Sequence, residues 1–263
     1  IAHSKSPRIH TMFAEQTGEQ IDYTAILVAT DGFTTAVTDF FAGGGNGLNV
    51  TVPFKQQAWS LATARSPHAA RAGAVNTLSL DKNGELFGDN TDGAGLVRDL
   101  LHNHGASMRK RRILMLGAGG AARGVIEPLL GVQPALLVIA NRTADKAVEL
   151  ARLFCTMGHT EGCGLDDLAG QSFDIIINAT AASLSGEVPA IANDTVTADS
   201  WCYDMMYGDK TTAFMDWAQA RGAAHVMDGL GMLVEQAAES FYIWRKVRPD
   251  TAPVIAALRV KNN

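Results

Sequence analysis

The sequence predicts an α/β protein of two domains, one on a mixed sheet and one on a doubly wound parallel sheet. Three observations lead there. From Arg112 onward, apolar runs such as "ILML", "ALLVIA" and "DIII" alternate with amphipathic runs such as "ADKAVELARLF", the pattern of parallel strands covered by helices on both faces. Before Asp92 the apolar runs are shorter, and in "AVNTLSLDKNGELFGDN" the segment Asp81–Gly84 reads as a turn between two strands. The length of 263 residues, 47% of them hydrophobic, fits one large domain or two of ordinary size, and two are expected. The expected boundaries place residues 1–92 in the first domain, completed by residues 228–263, and residues 93–227 in the second.

Each element has its own signal. In "SKSPRIHTMFAEQTG", Ser6 is a potential cap and Pro7 a first helical residue, while Ile9, Met12 and Phe13 form an apolar face that Gly18 ends. "YTAILVA" reads as a strand and "DGFTTAVTDFFAG" as a helix. "GLNVTV" reads as a strand with Asn49 and Thr51 on one face and Val50 and Val52 on the other. Pro53 then suits the first turn of a helix, which puts Lys55 at a strand-to-helix corner. A half-buried edge strand with a wet polar face accounts for the same residues. "TDGAGLVRDLLHNHG" has helical periodicity; beyond it come "RILML", "ALLVIANRT", "FDIIINAT" and "WCYDMMYG" as strands, with "TTAFMDWAQARG", "GMLVEQAAESFYIWRKV" and "APVIAALRV" as helices.

The bulk chemistry excludes several classes. A net charge of −5 argues against general affinity for nucleic acid or anionic membranes, and "RKRR" at Arg109–Arg112 is a short lead-in to a strand. No apolar run reaches the roughly 20 residues of a spanning helix, and no signal peptide is visible, so a soluble cytoplasmic protein is expected. Cys155, Cys163 and Cys202 lack paired spacing and are expected to be reduced thiols; the histidines form no ligand motif, and no metal is expected.

The segment G-A-G-G-A-A meets the G-x-G-x-x-G/A pattern through Gly117, Gly119 and Ala122, directly after a strand and at the opening of a helix. Gly117 permits the tight turn, and Gly119, followed by Gly120 and Ala121, lets a pyrophosphate approach the backbone at the helix N-terminus. The strand after that helix ends in Asn141, Arg142 and Thr143. A carboxylate there would accept from ribose hydroxyls and repel a 2′-phosphate; with no acid and an arginine present, NADP(H) is the expected cofactor. Thr143 also suits a helix cap. Lys146 would add charge near the phosphate, although a solvated lysine explains it as well, since a cation is unfavourable at a helix N-terminus.

Within the first domain, Ser4 and Ser6 beside a helix start offer donors for a carboxylate, and Asn49, Thr51, Asn76, Asp92 and Lys55 are polar residues in or beside apolar strands. Such a set suits a polyhydroxylated acid, because each buried hydroxyl demands a partner. Taken with "AGAVNT", "GDNTDGAG", "GAGGAA", "NRT", "INAT" and "DGLGMLVEQA", in this order over nearly the whole chain, the sequence resembles the shikimate dehydrogenases. The resemblance implies a substrate domain completed by C-terminal helices, a Rossmann-type NADP domain, and reversible hydride transfer between C3 of shikimate and NADP+. It implies Lys55 and Asp92 as the catalytic pair, Ser4 and Ser6 as carboxylate ligands, and Asn49, Thr51, Asn76 and Gln236 as ring-hydroxyl ligands. It places Tyr207 near the substrate carboxylate, Gly229 and Met232 near the nicotinamide, and Thr180 on the cofactor side.

Two departures stand out. Members carry a strand V-x-G-x-P ahead of the serine motif, and the expectation is that this strand lies outside the given sequence. After "NAT" the chain has Ala181, Ala182 and Ser183 where many members have a serine pair and glycine. Quinate or dual quinate/shikimate dehydrogenases share nearly all these residues and remain an alternative; so does a ligand-sensing homologue that has lost turnover. The expected partner is the small-molecule substrate, and the chain is expected to be a monomer or a homodimer.

Overall fold

The computed structural model describes residues 4–260. The chain divides into two compact units, Ile1–Gly95 with Leu233–Asn263, and Leu96–Met232.

The first unit opens with α1 (Ser6–Thr17), which has Pro7 in its first turn and ends at Gly18 in the left-handed conformation, φ 69°. Ser6 is not the cap expected of it. The helix starts one residue early, Lys5 holds the cap position without a side-chain bond, and Ser6 donates its own unpaired N–H to Ser4 Oγ at 3.3 Å. After α2 (Phe33–Ala42) come β1 (Gly47–Asn49), α3 (Lys55–Leu61), β2 (Ala64–Arg65), α4 (Pro67–Ala72), β3 (Thr77–Leu80), β4 (Leu86–Asp89) and α5 (Asp92–Arg98). The sheet order is β1-β3-β4-β2, with β3 antiparallel to β1 and β4, and β2 parallel to β4. The expected β3–β4 turn is present: Asp81 Oδ1 accepts from Asn83 N at 2.8 Å and Glu85 N at 2.9 Å.

Two further expectations fail in this unit. Residues 19–29 form no strand: among the described residues the apolar run "YTAILVA" has no ladder partner, and Leu27 is 82% exposed. The strand containing Asn49 stops there. Val50 N still bonds Asn76 O, but Thr51 O accepts from Phe54 N at 2.9 Å, so the chain turns at 51–54. Pro53 therefore belongs to the turn, and α3 begins at Lys55 itself. Behind the sheet, Phe33, Val37, Val50, Ala58, Ala69, Val75 and Leu78 pack as one apolar cluster.

The second unit continues from α5 through a π-helical turn at Asp99–Asn103 into β5 (Arg112–Leu116), α6 (Gly120–Gly131), β6 (Leu136–Asn141), α7 (Ala144–Phe154), β7 (Thr160–Gly164), β8 (Ile175–Asn178), β9 (Trp201–Asp204), α8 (Ala213–Ala220) and β10 (His225–Met227). Then α9 (Leu230–Arg245) carries the chain back into the first unit, followed by α10 (Ala252–Arg259). All six strands are parallel, in the order β10-β9-β8-β5-β6-β7. Strand alternation assigns the core: Ile113 and Met115 join one cluster with Val125, Ile126 and Ile139, while Leu114 and Leu116 join another with Val138, Ile176 and Phe214. Each such side chain fully buried contributes about 1.5–3 kcal/mol, which explains why these strands are apolar on both faces. Successive crossovers run from β5 toward β7 on one side and from β8 toward β10 on the other, so the strand order reverses between β5 and β8. Ligands of such sheets bind at the carboxyl ends of strands flanking that reversal.

Candidate active site

In the first unit the turn after β1 and the first residue of α5 bring together the two residues expected to act as a pair. Lys55 Nζ donates to Asp92 Oδ2 at 2.5 Å, with the two side chains 19% and 10% exposed. The other carboxylate oxygen, Asp92 Oδ1, accepts from Asn76 Nδ2 at 2.9 Å, and Asp92 N donates to Asn90 Oδ1 at 3.1 Å. Asp92 is thus gripped on three sides while Lys55 remains partly open to solvent.

Asn76 is the hub of this cluster. Its Nδ2 also faces Thr91 Oγ1 at 3.0 Å and Gln236 Oε1 at 3.3 Å, and its Oδ1 accepts from Thr91 N and Thr77 Oγ1, each at 2.9 Å. Asn49 sits beside it. Its Nδ2 lies 2.8 Å from Ser240 Oγ, 3.3 Å from Thr77 Oγ1 and 3.4 Å from the Asn76 carbonyl oxygen, while its Oδ1 accepts from Tyr23 OH at 2.9 Å. A carbonyl oxygen can only accept, so the amide nitrogen must be the end that faces Asn76, leaving a lone pair on Oδ1 for an incoming hydroxyl. Gln236 Nε2 is turned to Leu233 O at 2.8 Å.

Sequence reasoning brought Lys55, Asp92, Asn76, Asn49 and Gln236 to this cluster, and the structure joins all five through hydrogen bonds. Thr51, by contrast, lies exposed beyond the ladder, and Ser4 and Ser6 lie at the head of α1. Tyr23, Thr77, Thr91 and Ser240 were not singled out. A signal existed for Ser240, which falls one helical turn after Gln236 on the same face of α9, and its Oγ bonds the Gln236 carbonyl at 3.1 Å.

In the second unit Gly117 has φ 105°, and a Cβ there would lie 3.2–3.3 Å from Thr180 and the Ala179 backbone. This is the close turn that demands glycine. At Gly119 and Gly120 an added Cβ would meet open space, and α6 has no side-chain cap, so its first N–H groups face outward. Ala121 is half-buried and Ala122 fully buried beneath the turn. Arg142 and Thr143 are exposed just after β6 and Lys146 is exposed in the first turn of α7, while Asn141 Nδ2 bonds Thr143 O at 2.9 Å. Thr143 occupies the N-cap position of α7 in the extended conformation usual for a cap, yet makes no side-chain cap bond, contrary to expectation. Uncapped amides, open glycines and an arginine with no acid on the strand end fit a dinucleotide carrying a 2′-phosphate.

The remaining expected cofactor residues have packing roles of their own. A Cβ at Gly229 would lie 2.2 Å from Met205 O, so that position is glycine by contact alone, and Met232 is buried in the apolar cluster. Thr180 donates from Oγ1 to Asn178 Oδ1 at 2.7 Å. Tyr207 is half-buried, and burial raises its phenol above the ordinary value. Among the described residues no group of acids, histidines and cysteines could hold a metal, and no helix is long and apolar enough to cross a membrane.

A parallel sheet with a glycine turn at its reversal, together with the first unit's lysine–aspartate pair inside a polar cluster, defines a class of two-unit dinucleotide-fold proteins. Comparison with known proteins narrows the class. Residues 1–78 match the shikimate dehydrogenase substrate binding domain, residues 99–198 the shikimate / quinate 5-dehydrogenase family, and residues 229–259 the shikimate 5'-dehydrogenase C-terminal domain. The chain is 57% identical to the shikimate dehydrogenase (NADP(+)) of Hahella chejuensis and 59% identical to that of Alkalilimnicola ehrlichii, each over 98% of this chain and 95% of the relative. The crystal structure of an Ael1 enzyme from Pseudomonas putida, 43% identical, superposes with a TM-score of 0.93 over 100% of this chain and 96% of that one. The chain belongs to the shikimate dehydrogenase family.

Proposed function

We propose that this protein is an NADP-dependent dehydrogenase that interconverts shikimate and 3-dehydroshikimate by hydride transfer at C3. The observation that carries the reading is the Lys55–Asp92 contact of 2.5 Å, with Asn76 holding the far carboxylate oxygen. The names of the curated relatives, which specify shikimate and NADP(+), support it. Bound NADP+ supplies the hydride acceptor.

Oxidising an alcohol releases a proton as the hydride leaves, so a base must stand within hydrogen-bond reach of the oxygen. A lysine ammonium has no lone pair and cannot be that base alone. The pair acts as one unit: the hydroxyl proton passes to Nζ as Nζ hands one to Asp92 Oδ2, and in the reverse reaction Lys55 returns it. Asn76 keeps the aspartate oriented throughout. Ser4 and Ser6 take the substrate carboxylate, with Tyr207 a further contact. Asn49 accepts from a ring hydroxyl through its remaining lone pair, and Thr51 and Gln236 complete the ring contacts. Asn76, with all its polar atoms engaged, meets substrate only by exchanging one of these bonds. On the cofactor side, Gly117, Gly119, Gly120 and Ala121 shape the turn that admits the pyrophosphate. Asn141, Arg142, Thr143 and Lys146 border the 2′-phosphate, and Thr180, Gly229 and Met232 face the remainder. The unit holding residues 1–95 and 233–263 is thus the substrate domain, and that holding 96–232 the cofactor domain.

The test is NADPH formation, followed by absorbance, on mixing the protein with NADP+ and shikimate, then with quinate in its place. Turnover of shikimate is expected. Binding of both ligands without absorbance change would identify a sensor, and faster turnover of quinate would reassign the substrate.

A further inference from the structure

We propose that Asp204, the last residue of β9, is a positioning residue for the cofactor: its carboxylate ties the loop after β8 to the loop after β9 and holds the former against the glycine turn. Asp204 is fully buried and lies directly across from Asn178 in the ladder. Both of its oxygens are occupied, and every partner is a donor. Oδ2 accepts from Ser183 Oγ and from Thr212 Oγ1, each at 2.6 Å; Oδ1 accepts from Met206 N at 3.1 Å and Asn178 Nδ2 at 3.2 Å. An ionised carboxylate accepts from all four at once, whereas an asparagine or a protonated acid would put a hydrogen on the Oδ2 side and force the Ser183 or Thr212 hydroxyl to turn and accept instead. Burying such a charge is costly, and burial pushes the Asp204 carboxyl above its ordinary range against the pull of these bonds. A neutral residue would serve a purely structural corner at lower cost.

What the clamp secures is the loop after β8. Asn178, held by Asp204, accepts from Thr180 N at 3.1 Å and Thr180 Oγ1 at 2.7 Å, and Thr180 Oγ1 accepts in turn from Ala182 N at 3.3 Å. Ser183 closes the circuit through its bonds to Asp204 and to Asn178 Nδ2 at 3.2 Å. The loop so fixed is the one whose Thr180 and Ala179 lie against Gly117, on the β8 side of the strand reversal where a dinucleotide would lie. Ala181 and Ala182 have no polar side chain to offer in this loop, and Ser183 carries the tie to Asp204.

The inference rests on the dehydrogenase reading for the identity of the ligand and is tested by binding rather than turnover. Isothermal titration of the full chain with NADP+, and separately with shikimate, is compared for the parent, Ser183→Ala, Ser183→Thr and Asp204→Asn. Loss of one hydrogen bond to a charged group is expected to weaken NADP+ about tenfold in Ser183→Ala. Ser183→Thr should restore it, shikimate affinity should be unchanged in both, and Asp204→Asn should exceed Ser183→Ala. If Asp204→Asn does not fold, the serine pair decides. An NADP+ affinity within twofold of the parent in Ser183→Ala, or an equal loss for both ligands, overturns the proposal. Weakened NADP+ binding in Ser183→Ala, restored in Ser183→Thr, with a parent chain that does not turn over shikimate would uphold the clamp while sinking the dehydrogenase assignment.

Discussion

Lys55 has three N–H donors and directs one at Asp92, so the ammonium can meet a substrate hydroxyl without leaving its partner. Lys55→Ala is therefore expected to lower kcat by about 10²–10⁴-fold while shikimate binding changes far less. A raised KM with kcat nearly intact would reduce Lys55 to a hydroxyl ligand. On the cofactor side, Arg142→Ala should raise the KM for NADP+ by about ten- to a hundredfold and leave that for NAD+ nearly unchanged, since a charge-assisted phosphate contact contributes roughly 1.5–3 kcal/mol. Equal losses for both would mean the arginine does not read the 2′-phosphate. His10 supplies a pH argument. It is fully buried and stacked on Tyr23 at 4.1 Å, and burial lowers its pKa to about 3, the nearby Asn49 side chain offsetting only part of this. As pH falls below the ordinary 6.5 the unfolded chain takes up a proton that the folded one refuses. Stability on this account is full above that pH and is lost as pH falls toward 3, by up to roughly 1.4 kcal/mol per pH unit. Urea unfolding at pH 7 and pH 5 should show a smaller loss for His10→Phe than for the parent; parallel losses would acquit His10.

At the scale of elements, legibility in the sequence follows burial. Strands β5, β6 and β8 could be read because residues covered on both faces have to be apolar throughout, and the Gly117 turn because a strand and a helix flank it. The strands at the two edges of the same sheet, β7 and β10, were missed. In β7 the sequence "TEGCG" carries no strand signal, and the reason is packing: a Cβ at Gly162 would lie 2.4 Å from Ala147 O, so α7 approaches too closely for any side chain. The opposite error occurred at "YTAILVA", where the composition of a strand is present but a ladder partner is not among the described residues. For the site, residue types in strands and the resemblance pointed to Lys55, Asp92 and Asn76, whereas the hydroxyls of Thr77, Thr91 and Ser240 became visible only when β1, β3 and α9 were placed together. Close approach also yields an element-scale test. Gly229→Ala would drive a methyl into Met205 O, at 2.2 Å, and is expected to destabilise the chain by about 1–3 kcal/mol through forced displacement of the backbone leading into α9. An unchanged midpoint in thermal unfolding would show that this segment yields freely.

For the whole molecule the governing fact is that one unit is continuous in sequence and the other is not. Residues 96–232 contain all six parallel strands, while the polar cluster around Asn76 draws Gln236 and Ser240 from beyond them. A chain ending at 232 is expected to keep NADP+ binding and the cooperative unfolding of the parallel-sheet unit. It should lose shikimate binding, because Asn49, Thr77 and Thr91 would be left without their helical partners. Retained shikimate affinity in that fragment would place the substrate contacts wholly before residue 96. The same interruption sets an order of events on the ribosome. Translation at roughly 5–20 residues per second leaves the first segment waiting for roughly 7–27 seconds while the inserted unit, residues 96–232, is made. Throughout that interval the amides and hydroxyls destined for α9 are exposed in a nascent chain that cannot yet close its own core, and the earliest-made residues are among the last to reach their native partners.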